Sequence, residues 1–310
     1  MSQNKEKAAD MDPNAPGYIT GRDMIFSFYA RLYAEEASEL CRTFGEKGKQ
    51  VLKEALTEYA RRRLEYYGPV RGELRGQAKG CPIRTWLDTY GYTEEADAYC
   101  ETVCPKLAPE LAARGSFTRK GDTCLQNALI PADPAYDTLM AQFQLSQDLF
   151  CLNMWALGYH LIQNFGDEGE AAARRALRRY AFERGTVLRK THEAKGLPIT
   201  LLTLFTNQDL PRDPRFKRNP IQLDEETRFS ETLVCPFNDA WRRNPDGARI
   251  GRLYCEEVHI QLWTGWHPKT QVNLSQTLTQ DDDRCRFSVY LRPENSIPEP
   301  EWIKTRKPNI

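Results

Sequence analysis

Two parts of the chain carry the same short motifs in the same order, and this internal repeat limits the possible folds more than any other feature. Phe44-Gly45-Glu46-Lys47-Gly48 returns as Phe165-Gly166-Asp167-Glu168-Gly169. At the same offset, Ala55, Leu56, Tyr59, Ala60 and Arg63 match Ala176, Leu177, Tyr180, Ala181 and Arg184. Later echoes follow in order: Lys79-Gly80-Cys81-Pro82-Ile83 with Lys195-Gly196-Leu197-Pro198-Ile199, Tyr99-Cys100 with Tyr254-Cys255, and Asp122-Thr123-Cys124 with Asp283-Arg284-Cys285. Ordered matches of this kind indicate an internal duplication.

The duplication divides the chain into unequal parts. Residues 1–20 are polar and contain proline, which is typical of a disordered leader. Residues 21–130 are expected to be a helical, degenerate first copy, because they lack the strand-like segment of the second half. The second copy is expected to occupy residues 135–292, and the proline-containing residues 293–310 to form an extended tail.

Apolar periodicity predicts mostly helices in the first half and a mixture of helices and strands in the second. Helices are predicted over residues 22–67, with a break at Phe44-Gly45, and over 93–113, 136–163, 167–190, 239–243 and 248–263. Strands are predicted over residues 227–234, 271–279 and 285–292. The fold class is therefore α+β, with a helix-rich N-terminal half and a C-terminal antiparallel sheet packed with helices.

The stretch 235–287 concentrates the reactive side chains, with three of the nine cysteines and two of the four histidines. Cys255 and His259 are four positions apart on a predicted helix, so both side chains share one face, and Glu256 reaches its edge. Cys285 begins a predicted strand whose apolar and polar residues alternate. A thiol, an imidazole and a carboxylate on one helix suggest a reaction site.

Several motifs in this half resemble those of the L-2-amino-thiazoline-4-carboxylic acid hydrolase family. They are Cys235-Pro236-Phe237, Leu253-Tyr254-Cys255-Glu256, the turn from Gly265 to Pro268, Cys285-Arg286-Phe287 and, upstream, Phe165 to Gly169 and Gly196-Leu197-Pro198. The resemblance covers about residues 140–292. It implies a hydrolase that opens a small cyclic amidine- or thiazoline-type ring. Water or a thiolate attacks the central carbon, a ring C–S or C–N bond breaks, and an N-carbamoyl amino acid remains.

Under this interpretation Cys255 and His259 act at the reacting carbon, supported by Glu256, Cys235 and Cys285. A cysteine beside a histidine can lose its proton near neutral pH, and the thiolate is the attacking species. Glu256 would pair with the amidine-like nitrogens of the substrate. The reaction therefore needs one nucleophile or base and one carboxylate from this helix.

Three further residues are candidates for substrate binding. Arg252 and Arg284 lie near the cluster in sequence and could pair with a substrate carboxylate, although each also suits a solvated surface. His267 lies in an aromatic turn. It could act as a second acid-base group over the pocket or be a satisfied loop histidine.

The same cysteines allow a second interpretation. Cys235, Cys255, His259 and Cys285 form a Cys3His set that suits zinc, although no Cys-x-x-Cys spacing is present. A closed metal site would make the domain a non-catalytic small-molecule or metal-binding module of the sensor type. The sequence requires no cofactor, and zinc is the possible one. The cysteines at positions 100, 104 and 124 are expected to pack without reacting.

Charge and hydropathy exclude several classes of protein. The 310 residues include 43 basic and 43 acidic side chains, so the chain offers no basic surface for nucleic acid or an anionic membrane. The longest apolar run, residues 197–205, is too short to span a bilayer, and the leader lacks the apolar core of a signal peptide. Nine cysteines without framework spacing suit reduced thiols in the cytoplasm. We expect a cytoplasmic protein with a small-molecule substrate and no nucleic-acid or membrane partner; the sequence does not predict its oligomeric state.

Overall fold

The chain begins with long helices and ends in an antiparallel sheet. The computed structural model of the protein describes residues 12–70, 87–88, 91–107, 109 and 130–291. The helices are α1 (Gly17–Tyr67), α2 (Thr93–Thr102), α3 (Cys104–Leu107), α4 (Leu139–Ala194), α5 (Leu201–Thr206), α6 (Pro236–Arg242) and α7 (Gly247–Trp266). The strands are β1 (Lys217–Arg218), β2 (Gln222–Leu223), β3 (Thr227–Val234), β4 (Thr270–Gln276) and β5 (Cys285–Leu291). Short 3-10 turns at Pro134–Tyr136 and Leu278–Gln280 precede α4 and β5.

Helix α1 is a helical hairpin, because its two arms, residues 17–44 and 46–67, reverse direction at Gly45. The rings of Tyr29 and Tyr59 lie 6.3 Å apart across the two arms. A straight helix would separate residues this far apart in sequence by about 45 Å. The break that the Phe44-Gly45 motif predicts is therefore present, and it folds one arm back on the other.

Helix α4 has the same form. It reverses at Gly166, where the backbone has φ 56° and ψ −131°, against φ 57° and ψ −134° at Gly45. Phe150 and Tyr180 lie across its two arms with ring centroids 6.4 Å apart. The two segments predicted as separate helices, residues 136–163 and 167–190, are these two arms.

The similarity extends to the helices that pack on the hairpins. Tyr99 of α2 meets Tyr29 edge-on, at 6.1 Å and 84° between the rings. Tyr254 of α7 meets Phe150 in the same manner, at 5.9 Å and 85°. A duplicated unit would produce this shared geometry, and the internal duplication stays our proposal for its origin.

Replacing Gly45 or Gly166 with alanine is expected to lower the free energy of unfolding by about 1–3 kcal/mol in each case, since positive φ with this ψ is strained for any residue with a Cβ. Urea denaturation followed by circular dichroism would measure the loss. Gly17→Ala is the control, because Gly17 has no positive φ and a Cβ there meets nothing within 4 Å. Unchanged unfolding midpoints in both hinge variants would contradict the prediction.

The sheet is antiparallel, with strand order β1-β3-β5-β4, and β2 also pairs with β3. Its inner face packs on α7 and carries the buried Phe287 and Val289. The register pairs Arg228 with Val289, Ser230 with Phe287, and Thr232 with Cys285. Directly paired residues share a face, so the polar residues Arg228, Ser230 and Thr232 of β3 also lie on the inner face.

The α+β class is confirmed, with its helix-rich N-terminal half and C-terminal antiparallel sheet packed with helices. The strand predicted over residues 271–279 ends earlier than expected, at Gln276, because a 3-10 turn follows it. The short helix α5 was not predicted from periodicity. Helix α1 begins at Gly17, inside the predicted leader, and Tyr18 is already buried against Phe143 at 5.7 Å. Residues 1–11, 71–86, 89–90, 108, 110–129 and the predicted tail lie outside the described residues. The repeated motifs at 79–83 and 122–124, with Cys124, fall in these ranges.

Four arginines of α4, at positions 174, 175, 178 and 179, form ion pairs with neighbouring helices. Arg174 donates to Glu257 of α7 at 3.0 Å, and Arg179 donates to Glu39 of α1 at 2.7 Å. Burial raises the pKa of Glu39, but hydrogen bonds from Arg175 and Arg179 outweigh burial and lower it to about 2. These pairs join α4 to both of its neighbours. Within the described ranges, no helix is long and apolar enough to cross a membrane.

Candidate active site

The candidate site lies where one face of α7 packs on the inner face of the sheet. His259 meets the edge of Phe287 on β5, with ring centroids 4.9 Å apart, and stacks on Trp263 at 5.5 Å. Cys255, one helical turn earlier, is buried and lies near Cys285. The four-residue spacing therefore turns the thiol and the imidazole toward the same strand, as the sequence predicted.

Four cysteines meet at one end of this interface, and we call them the thiol cluster: Cys151 of α4, Cys235 before α6, Cys255 of α7 and Cys285 of β5. All four are free thiols. The structure therefore brings together the three cysteines that the sequence singled out. It adds Cys151, which no motif marked and which only the packing of α4 against α7 reveals.

Burial raises the pKa of each thiol in the cluster. The pKa of Cys235 rises to about 12, although the backbone N–H groups of Asn238 and Phe237 oppose the rise. The pKa of Cys255 lies well above its ordinary value, first through burial and then through the neighbouring thiols. These groups are neutral at physiological pH. The expected loss of the Cys255 proton near neutral pH is therefore not supported.

His259 is a neutral imidazole in this environment. Burial, followed by the charges of Arg228, Arg184 and Arg218 in that order, lowers its pKa to about 4. Its side chain is half-buried. Among the described residues, none forms a hydrogen bond with either ring nitrogen of His259. A neutral histidine with unoccupied nitrogens can accept a proton from a bound water molecule.

Glu256 points away from the thiol cluster. Its carboxylate accepts hydrogen bonds from Arg174 at 2.8 Å and from Arg252 at 2.6 Å. Since Glu256 is one position from Cys255, the helix turns its side chain about 100° from the site-facing direction. The predicted role of Glu256 beside the reacting carbon has no support in this geometry, because its carboxylate stabilises the contact between α4 and α7.

The three predicted substrate-binding residues also lie elsewhere. Arg252 is held by Glu256, and Arg284 pairs with Asp283 at 2.6 Å and with Glu231 at 3.2 Å on the outer face of the sheet. His267 follows the end of α7, where its Nδ1 accepts a hydrogen bond from the Lys269 backbone N–H at 3.1 Å. None of the three is placed beside His259.

Three arginines that the sequence analysis did not select surround His259 instead. Arg184 of α4 pairs with Asp209 through two bonds of 2.8 Å. The charges of Arg228 on β3 and Arg218 on β1 also lower the pKa of the His259 imidazole. None of the three carries a signal in the sequence. On β3 the apolar residues Phe229 and Leu233 alternate with Arg228, so the sequence pattern favours the opposite face as the buried one.

A metal site is not apparent in the part of the chain that the structure describes: no three His, Cys, Asp or Glu side chains there are grouped as metal ligands. The Cys3His set of Cys235, Cys255, His259 and Cys285 shares one region but lacks that grouping.

A groove of about 700 Å³ runs along the outer face of the sheet. Phe229, Asn273, Ser288 and Tyr290 line it, and Glu256 lies on its wall. It contains neither His259 nor a member of the thiol cluster, and the carboxylate in its lining, Glu256, is already paired with Arg174 and Arg252. We place the chemistry at the inner face.

Comparison with known proteins agrees with the motifs. Residues 151–289 match the family model described as L-2-amino-thiazoline-4-carboxylic acid hydrolase. No curated protein and no solved structure matches the chain. The matched range begins at Cys151 and ends at Val289, so it includes the whole thiol cluster, His259 and most of the sheet. Residues 151–289 are therefore similar to the L-2-amino-thiazoline-4-carboxylic acid hydrolase family.

Proposed function

We propose that the protein hydrolyses a small cyclic amidine- or thiazoline-type ring, using water activated by His259. The observation that carries the proposal is the neutral imidazole of His259, which lies beside the thiol cluster and has both nitrogens unoccupied within the described residues. The family match to a thiazoline hydrolase supports the same reaction class.

In the proposed reaction the water oxygen forms a bond with the ring carbon that lies between nitrogen and sulfur. His259 accepts one proton of the water, the π electron pair of the ring C=N bond moves to nitrogen, and the carbon becomes tetrahedral. The remaining hydroxyl proton passes to that nitrogen, the oxygen forms a carbonyl, and the ring C–S bond breaks with its electron pair leaving on sulfur. The imidazolium returns its proton to that sulfur, so the product carries a free thiol and an N-carbamoyl group.

The surroundings suit a small planar ring. Trp263, Phe287 and Tyr254 place aromatic surfaces around His259, with ring centroids 5.5, 4.9 and 5.9 Å from it. The neutral thiols of the cluster form a polarizable and weakly polar wall beside it. Such a site excludes water from a reacting ring and strengthens electrostatic interactions within it.

The test is a substrate panel of thiazolines, hydantoins, dihydropyrimidines and plain esters, followed by mass spectrometry of the products. We expect turnover of the cyclic amidines, with a mass gain of one water and a new thiol for the thiazoline. Protein-free incubations control for spontaneous opening. Turnover of esters alone, or binding of thiazolines without turnover, would overturn the proposal and favour a non-catalytic binding module.

A further inference from the structure

Two arginines beside His259, Arg228 and Arg218, form no ion pair with any acid among the described residues. Arg228 lies with its guanidinium 4.2 Å from the ring centroid of Phe205. Arginines on the other face of the sheet differ, since Arg286 donates to Glu231 at 2.8 Å. The unpaired cations are therefore confined to the inner face, where α7 presents its imidazole.

An unpaired, half-buried cation opposes folding, because it loses hydration without gaining an ion pair. The pKa of Arg228 is lowered to about 10, first by burial and then by Arg218. Proteins commonly keep such unfavourable groups where a ligand completes the site. The missing charge here is negative.

Ser230 supplies an independent observation between the two arginines. Its side chain is 1% exposed, and its Oγ has no hydrogen-bond partner. On β3 it lies two residues after Arg228 and two before Thr232, which pairs across the sheet with Arg218. Alternate residues of a strand share a face, so the side chains of Arg228, Ser230 and Thr232 point inward, with about 6.6 Å between successive ones along β3. Arg218 is exposed and flanks them at the edge of the sheet through its pairing with Thr232.

We propose that Arg228, Arg218 and Ser230 form an anion subsite that binds the carboxylate of the ring substrate, an inference that rests on the proposed function for the identity of that ring. The two guanidinium groups neutralise the carboxylate, and the Ser230 hydroxyl donates a hydrogen bond to it. Thr232 and Cys285 lie one step further along the same face. The anion subsite therefore lies next to the thiol cluster on the inner face.

The subsite has a consequence for His259. The charged groups that act on this imidazole are Arg228, Arg184 and Arg218, and Asp209 already pairs with Arg184. A bound carboxylate offsets the other two cations, so it raises the pKa of His259 and makes the imidazole a stronger base. The correct substrate thereby increases the reactivity of the group that activates water.

Binding can be measured apart from turnover with thiazolidine-4-carboxylate, whose saturated ring has no amidine carbon, and with its carboxamide. By calorimetry we expect the wild-type protein to prefer the carboxylate. Arg228→Gln is expected to weaken carboxylate binding by about 10- to 100-fold and to leave carboxamide binding unchanged. Arg228→Lys should restore part of the affinity. Arg286→Gln is the matched control, because it removes a paired arginine from the outer face and should change neither.

Two further readouts separate a binding role from a structural one. The unfolding temperature of Arg228→Gln should equal or exceed that of the wild type, since the variant removes an unpaired cation. Histidine NMR should show the pKa of His259 rising with the carboxylate and not with the carboxamide. Equal affinity of the wild type for the two ligands, or carboxylate binding unaffected by Arg228→Gln, would overturn the subsite.

The outcomes also distinguish this inference from the proposed function. If no ring compound is hydrolysed but thiazolidine-4-carboxylate binds through Arg228, the subsite stands and the hydrolase proposal fails. If thiazolines are hydrolysed while Arg228→Gln binds the carboxylate as the wild type does, the hydrolase proposal stands and the subsite fails.

Discussion

Replacing His259 with glutamine is expected to lower kcat/KM for thiazoline hydrolysis by about 100- to 10,000-fold, the range typical of a lost general base. Glutamine keeps a polar side chain of moderate size on α7 but cannot accept a proton at neutral pH. The ring contacts with Trp263 and Phe287 would be lost as well, so unfolding temperatures must be compared with those of the wild type. Steady-state kinetics on the best substrate of the panel measures the effect.

His267→Gln is the matched control for this variant. His267 lies at the end of α7, where the Lys269 backbone occupies its Nδ1, and we expect less than a threefold change in kcat/KM. A His259→Gln variant that is folded and retains more than a tenth of wild-type kcat/KM would show that another group activates the water.

The His259→Gln variant is also expected to change how the stability of the folded protein depends on acidic pH. The pKa of His259 falls from 6.5 in the unfolded chain to about 4 in the folded protein. Between these values the unfolded chain binds more protons, so folded-state stability decreases as the pH falls from about 6.5 to 4. Carboxylates also titrate there, and comparing wild type with His259→Gln isolates the histidine. The variant should lose less stability over this window and should show no pH-dependent difference from the wild type above it.

Gly185→Ala is expected to produce the largest loss of stability, more than about 3 kcal/mol, or to prevent folding. Helices α4 and α7 cross with their backbones in contact at this point. A Cβ on Gly185 would lie 1.9 Å from the Leu262 carbonyl oxygen and 2.8 Å from the Trp266 nitrogen. Backbone atoms in the middle of two packed helices cannot move aside as a flexible side chain can, so the helices must separate.

The measurement is urea denaturation, with expression level as a second readout if no folded protein is recovered. Gly158→Ala is the matched control on the same pair of helices. Its Cβ would meet a flexible side-chain atom, Ile250 Cγ2, at 3.1 Å, and we expect a change within about 1 kcal/mol. An unfolding midpoint for Gly185→Ala equal to that of the wild type would contradict the close backbone packing. Since α7 carries Cys255 and His259, partial separation should also reduce activity.

The hinges of both hairpins and the elements of the site were determined by the sequence alone. Gly45 and Gly166 reverse the chain because their own backbone adopts a positive φ. The alternation of apolar and polar residues that begins at Cys285 predicts a strand with one buried face. The four-residue spacing of Cys255 and His259 follows from helix geometry. These features depend on residues a few positions apart, so local rules are sufficient to predict them.

The charge state and partners of the site residues were decided only by the tertiary structure. Glu256 follows Cys255 directly, yet Arg174, from the distant helix α4, holds it away from the thiol cluster. The pKa of His259 depends on burial and on arginines from three other elements. Among the described residues no acid forms an ion pair with Arg228, and only the tertiary packing determines this. Desolvation and ion pairing depend on which groups meet in space, and a sequence read along the chain does not contain that information for groups far apart.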